Sequence, residues 1–139
     1  MTTTTTEHIQ QARTMPTCGQ ACLAMLAGVS LTEACLAVGH RRGTKHHEII
    51  KAARKLGLIP KTTLWQLAAD HDALPANAIL KQRRRGRKNW HWACVIDGVL
   101  HDPSMPTGGE LGSNRITVSW MEFDQVTLSC RKSVAQDRF

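Results

Sequence analysis

The chain contains no tyrosine and only two phenylalanines among its 139 residues. Four tryptophans carry most of its aromatic surface, so stacking against a base would fall mainly to them. No apolar run approaches the ~20 residues a membrane-spanning helix needs, and no basic-then-apolar leader precedes a cleavage site. These absences give the expectation of a cytoplasmic protein with no membrane span. Cysteine is present but not in metal-type pairs: positions 18, 22, 35, 94 and 130 are odd in number and contain no Cys-x-x-Cys spacing. In a cytosolic chain that argues for free thiols over a disulfide framework. Acidic side chains are scarce, 11 against 18 Lys and Arg, for a formal net charge of +7. Such a charge suits nucleic acid, an anionic surface or an acidic protein, without choosing among them. The length allows one domain with a real core and not two ordinary ones.

Against these absences stands one dense stretch, Met15-Pro16-Thr17-Cys18-Gly19-Gln20-Ala21-Cys22-Leu23-Ala24-Met25-Leu26. It reads as a loop that meets a cysteine and turns at once into an apolar helix. Pro16 and Gly19 bracket Cys18, and from Ala21 to Ala27 every residue is apolar or small, the pattern of a helix buried nearly all round. Cys18 is thus expected at the first turn, where unpaired N–H groups and the helix dipole favour negative charge. A thiol in such a place ionises readily, and the thiolate is the nucleophile. Cys22, one turn further in, reads as a structural cysteine.

The remaining punctuation predicts helices first and strands after, an α+β protein. Residues 1–14 read as a disordered or extended segment, 15–133 as one domain and 134–139 as a tail. Helices are expected over 18–27, 32–38 and 45–56, ended by Gly28, Gly39 and Gly57, with Thr44 as the N-cap of the third and Glu48 as its capping partner. Residues 63–69 read as helical or irregular. Strands are expected over 77–82, 90–96, 99–102 and 115–119, with 120–123 a turn or link and 125–132 a last strand. Residues 83–88 and 107–113 read as loops.

Asp97-Gly98 is the strongest short hairpin signal in the chain. A two-residue turn there pairs Ile96 with Val99, Val95 with Leu100, Cys94 with His101 and Ala93 with Asp102. Alternation then puts His91 and Asp102 on one face as diagonal neighbours, roughly 7–8 Å apart at the backbone, and sends His101 to the other face beside Cys94. The order along the chain becomes cysteine, histidine, aspartate. That set is what nucleophilic catalysis by a thiol requires: a base beside the thiol, and a third group to hold the base.

With these residues in place the chain resembles the papain-like cysteine peptidases, and within them the double-glycine leader peptidase domains of bacteriocin exporters and their free-standing relatives. The resemblance rests on Cys18-Gly19 with Ala21, Leu23 and Met25; on Gly43-Thr44 leading to the Ala-Ala-Arg-Lys-Leu-Gly-Leu run at 52–58; on Leu74-Pro75-Ala76 with Ile79; on His91; and on Asp102-Pro103. It covers about residues 18–104. It implies an antiparallel sheet packed on the cysteine helix, hydrolysis of a peptide bond through a thioester, no metal and no cofactor. The family's cysteine, histidine and aspartate map to Cys18, His91 and Asp102. Its oxyanion-hole glutamine, about six residues before the cysteine, falls on Ala12; Gln11 is the favoured substitute and Gln10 the alternative. The residue before the cysteine is Thr17, where many relatives carry an acid. The exporter relatives continue into membrane and ATPase domains that this sequence lacks, so a double-glycine leader is not implied as substrate.

The expected function is therefore a stand-alone thiol hydrolase, a cysteine peptidase acting on a peptide or protein substrate that the charge favours as acidic. The alternative is a peptidase-like binding module that recognises an acidic protein or nucleic acid without cleaving it. Arg41-Arg42, Arg83–Arg85 and Arg87-Lys88 would supply phosphate contacts for nucleic acid, yet charged loops are usually only solvated. A zinc site among Cys18, Cys22, His46, His47, Cys94 and His101 lacks paired spacing. Trp92 is expected in the core, Trp90 over an edge, and His46-His47 at the surface. Deamidation and acyl transfer use the same residues, and the sequence is silent on oligomeric state.

Overall fold

The computed structural model describes residues 17–67, 75–84, 90–103 and 115–124. The expected N-terminal segment 1–14, the loop over 107–113, the last strand over 125–132 and the tail over 134–139 lie outside them. Three helices come first: α1 (Cys18–Ala27), α2 (Leu31–Val38) and α3 (His46–Lys55). Five strands follow: β1 (Gln66–Leu67), β2 (Ala78–Arg84), β3 (Trp90–Ile96), β4 (Val99–His101) and β5 (Arg115–Glu122). They form one antiparallel sheet in the order β1-β5-β2-β3-β4.

α1 contains no β-branched residue, and Ala, Leu, Met and Gln favour the helical state. Gly28 ends it in the left-handed conformation, φ 72°, and sends its N–H back to the Ala24 carbonyl. All ten residues of α1 are buried. The core that encloses them takes Ile79, Trp92, Cys94, Ile96, Met121 and Phe123 from the sheet side, and Ile49, Ala52 and Ala53 from α3. α2 starts one residue earlier than expected, because the Ser30 hydroxyl accepts the Glu33 N–H at 3.1 Å and so fixes the first turn.

Thr44 does not cap α3; the N-cap is Lys45, whose N–H is donated to Glu48 Oε1 at 2.9 Å. Thr44 is committed elsewhere. Its carbonyl accepts the Trp92 indole N–H at 3.1 Å, and its hydroxyl faces Gly19 so closely that a Cβ there would sit 2.1 Å from Oγ1. This is why the residue after Cys18 has no side chain: the loop before α3 lies directly on the first turn of α1.

In the hairpin, Asp97 and Gly98 both have positive φ, 50° and 81°, the requirement of a type I′ turn. The register is Ile96↔Val99, Val95↔Leu100 and Cys94↔His101, as the turn predicts. The ladder closes there, and Asp102 follows the strand. Three expectations change. Residues 66–67 form an edge strand on β5. The stretch 120–122 continues β5, because all three residues pair with β2 and Trp120 also pairs with β1. Arg83 and Arg84 extend β2, each backbone being paired to β5 and Arg83 also to Trp90. A bulge in β5 at Val118 shifts the register between Lys81 and Gln82.

The close approach at Gly19 generates a prediction. Gly19→Ala should destabilise the fold by ~1–3 kcal/mol, since Thr44 Oγ1, Ile49 Cδ1 at 3.0 Å and Trp92 Cδ1 at 3.2 Å leave no room. Thr44→Ala removes the nearest of these atoms. Urea denaturation of both single variants and the double should show the double less destabilised than the sum; strict additivity would mean that the two residues do not meet.

Candidate active site

Two structural units bring the expected residues together. α1 carries Cys18 at its first position, with no side-chain cap on its N-terminal turn. The Ala21 N–H reaches back to the Thr17 carbonyl at 2.9 Å, so the N–H groups of Cys18, Gly19 and Gln20 precede the first intrahelical bond. The β3–β4 hairpin carries the other two residues. His91 is the second residue of β3, and Asp102 comes one residue after β4. Their side chains meet: His91 Nε2 donates to Asp102 Oδ1 at 2.6 Å. Asp102 is 1% exposed and the His91 side chain 12%. With Nε2 committed to the carboxylate, Nδ1 is the nitrogen left for Cys18, which lies close enough to the same imidazole to raise its pKa.

The electrostatics follow from this packing. Burial opposes the His91 imidazolium, but hydrogen bonds to Asp102 and Cys18, and the charges those groups carry, outweigh it and raise the His91 pKa. One turn deeper, burial pushes the Cys22 thiol well up, reinforced by a hydrogen bond to Cys94 and by the nearby Cys18 and Asp102 charges. Cys22 is therefore a neutral thiol at physiological pH. Cys18, Cys22, Cys35 and Cys94 are all free.

His101 lies opposite Cys94 in the ladder and is buried; the histidine that meets Asp102 is His91. Gln10 and Gln11, the expected oxyanion donors, lie outside the described residues. Gln20 is not available in their place: it is fully buried, and its Nε2 donates to the His40 and Arg42 carbonyls at 3.0 and 2.9 Å. Trp92 is in the core, and Trp90 is 53% exposed with Lys81 Nζ 4.0 Å from its ring centroid.

His46 departs from expectation. It is half-buried, edge-on to Trp65 at 4.6 Å and to Trp92 at 5.4 Å, and burial followed by the Lys81 charge lowers its pKa. His47 is exposed. No group of three or more His, Cys, Asp or Glu side chains among the described residues can hold a metal ion. No single helix among them is long and apolar enough to cross a membrane; α1 and α2 pass that test only as a pair bent by 113°.

Sequence reasoning missed the contacts of Thr44 with Gly19 and Trp92, of Trp65 with His46 and Trp92, and of Lys81 with Trp90. The signal for Lys81 was the strand alternation, which sets it opposite Trp92 in the β2–β3 register. Thr44 and Trp65 come from loops, where no periodicity speaks. Comparison of the chain with protein-family models, curated proteins and solved structures gives no match.

The His91 environment predicts a pH behaviour. A raised histidine pKa stabilises the fold fully below the ordinary value near 6.5, and this contribution fades as pH rises through the raised value. Asp102→Asn removes the carboxylate charge and leaves burial to dominate, so the His91 midpoint should fall. Imidazole NMR titration of the two proteins measures both directions; a His91 midpoint that does not move on Asp102→Asn would remove Asp102 as its electrostatic partner.

Proposed function

We propose that the chain is a papain-like thiol hydrolase, a cysteine peptidase. The observation that carries this reading is the His91 imidazole bonded to the buried Asp102 carboxylate at 2.6 Å, with Cys18 near enough to raise the pKa of the same ring. Cys18 Sγ, its proton taken by His91 Nδ1, attacks the carbonyl carbon of a peptide bond. The carbonyl electrons move to oxygen, and the Cys18 N–H at the open end of α1 faces the developing charge together with a side-chain donor, Gln11 or Gln10. His91 returns the proton to the leaving amine as the C–N bond breaks, which leaves a thioester on Cys18. Water, deprotonated by His91, then releases the acid and restores the thiol. Asp102 holds the ring in one orientation and supports its charged form.

The reading has a direct test. Iodoacetamide should modify Cys18 ahead of Cys22 and Cys94, because burial keeps the Cys22 thiol protonated and both deeper thiols lie in the core. His91→Ala should slow that modification strongly, whereas His101→Ala should leave most of it. Peptide turnover should fall ~10²–10³ on Gln11→Ala or Gln10→Ala, while alkylation, which forms no oxyanion, stays. Equal labelling of all the thiols in the folded protein, or indifference to His91→Ala, sinks the nucleophile assignment. A partner captured over Cys18 with no peptide cleaved would make the chain a binding module.

A further inference from the structure

The charge of this protein is not spread evenly. Between residues 39 and 57 lie Arg41, Arg42, Lys45, Lys51, Arg54 and Lys55 against a single acid, Glu48, a net of +5 in a chain whose total is +7. All six cations are exposed. The ion pairs among the described residues are His40–Glu48, Lys61–Glu122 and His91–Asp102, and none uses any of the six. Lys51, Arg54 and Lys55 stand three and four residues apart and so share the outer face of α3, opposite Ile49, Ala52 and Ala53 in the core.

At the head of this stripe is a cavity of about 370 Å³ lined by His40, Arg42, Gly43, Lys45, His47 and Glu48. Its one carboxylate is engaged on both oxygens by its own neighbours. Glu48 Oε1 accepts the Lys45 N–H at 2.9 Å, and Oε2 accepts His40 Nε2 at 2.5 Å. The Arg42 N–H is donated to His40 Nδ1 at 3.1 Å, so both ring nitrogens of His40 are engaged within the loop. The hydrogen bonds from His40 and Lys45 hold the Glu48 carboxyl below its usual range, so it stays an anion bound to its own neighbours and leaves the Arg42 and Lys45 head groups unpaired. Like charges kept together without counter-charges cost stability, and an anion seated among them relieves that cost.

We propose that this cavity and the basic face of α3 form a recognition site for an acidic polypeptide segment, one carboxylate side chain entering the cavity and further acidic residues lying along Lys51 and Arg54. That the segment belongs to the substrate rests on the hydrolase reading above. Two contacts place the site beside the nucleophile: Gln20 ties the His40 and Arg42 carbonyls to α1, and Thr44 lies against Gly19, the residue after Cys18. The cavity is sized for a side chain, and its rim holds no Trp, Tyr, Phe, Asn or Gln side chain to stack on or read a base, which favours polypeptide over nucleic acid.

The test is capture of a fluorescein-labelled glutamate-rich peptide by the full chain, followed by anisotropy, with its glutamine counterpart and oligothymidylate as rivals. The glutamate peptide should bind, and weaken steeply between about 50 and 200 mM salt as screening shortens the reach of the charges. Arg42→Ser/Lys45→Ser and Lys51→Ser/Arg54→Ser should each cost about tenfold or more, whereas Lys61→Ser/Arg115→Ser, which removes two cations elsewhere, should cost less than about twofold. Equal loss in all three double variants would make capture a property of net charge alone and overturn the site. Equal binding of the glutamine peptide, or tighter binding of oligothymidylate through the same residues, also overturns it. Capture that survives Cys18→Ala, with no peptide hydrolysed by the parent chain, keeps the site and removes the hydrolase. Hydrolysis that is indifferent to acidic residues and salt keeps the hydrolase and removes the site.

Discussion

A helix with no polar face has to be enclosed, and α1 is such a helix. Every one of its ten residues is buried, so the chain must supply a wall on all sides. The sheet supplies one through Ile79, Cys94, Ile96 and Met121, and α3 another through Ile49 and Ala52. The polar N-terminal end of a helix is the part that resists such burial, because its first N–H groups have no partner within the helix. Enclosing α1 therefore also delivers its first turn, with Cys18 in it, to whatever opening the walls leave. The place of Cys18 follows from the burial of the helix.

The residues around that opening carry polar atoms that have to be satisfied by one another. Gln20 gives both of its amide hydrogens to the loop before α3, and Trp92 gives its indole hydrogen to Thr44. Those bonds hold the 40–44 loop against α1 more tightly than apolar contact would, because a broken one leaves a buried donor unmet. Asp102 is the extreme case. At 1% exposure a lone carboxylate would be strongly disfavoured, and the imidazole of His91 is what makes its charge tolerable. The same pairing raises the His91 pKa against the opposing effect of burial. One contact thus both satisfies a buried anion and tunes a base.

Much of this was legible in the sequence, for reasons that differ by residue. The extent of α1 was readable because its composition is unmistakable and Gly28 ends it. The hairpin register was readable because Asp97-Gly98 fixes turn and length together, and the register alone separates His91 from His101. The end of β5 was not readable: Trp120, Met121 and Glu122 are extended because they pair with β2, and Trp120 also with β1, a fact about partners far away in sequence. The cap of α3 misled for a similar reason. Thr44 is a good N-cap by local preference, but the approach of Gly19 and Trp92 claims it first. His46 reads as a surface residue until Trp65 arrives from a loop to cover it.

Cys18 and His91 sit on separate units, so their meeting depends on how α1 docks against the hairpin. One small contact sits at that junction. Cys22, one turn below Cys18, hydrogen-bonds Cys94, which lies three residues from His91 and directly opposite His101, the residue before Asp102. Both thiols are fully buried, and their spacing sets how deeply the helix rests on the hairpin. Packed interiors transmit small changes in volume, so a larger side chain at either position would lift Cys18 relative to His91. The two fully buried cysteines thus bear on Cys18 through geometry. Their small volume is what the junction requires, and serine at either place would exchange a soft, weakly polar contact for a hydroxyl that needs a stronger partner than the core provides.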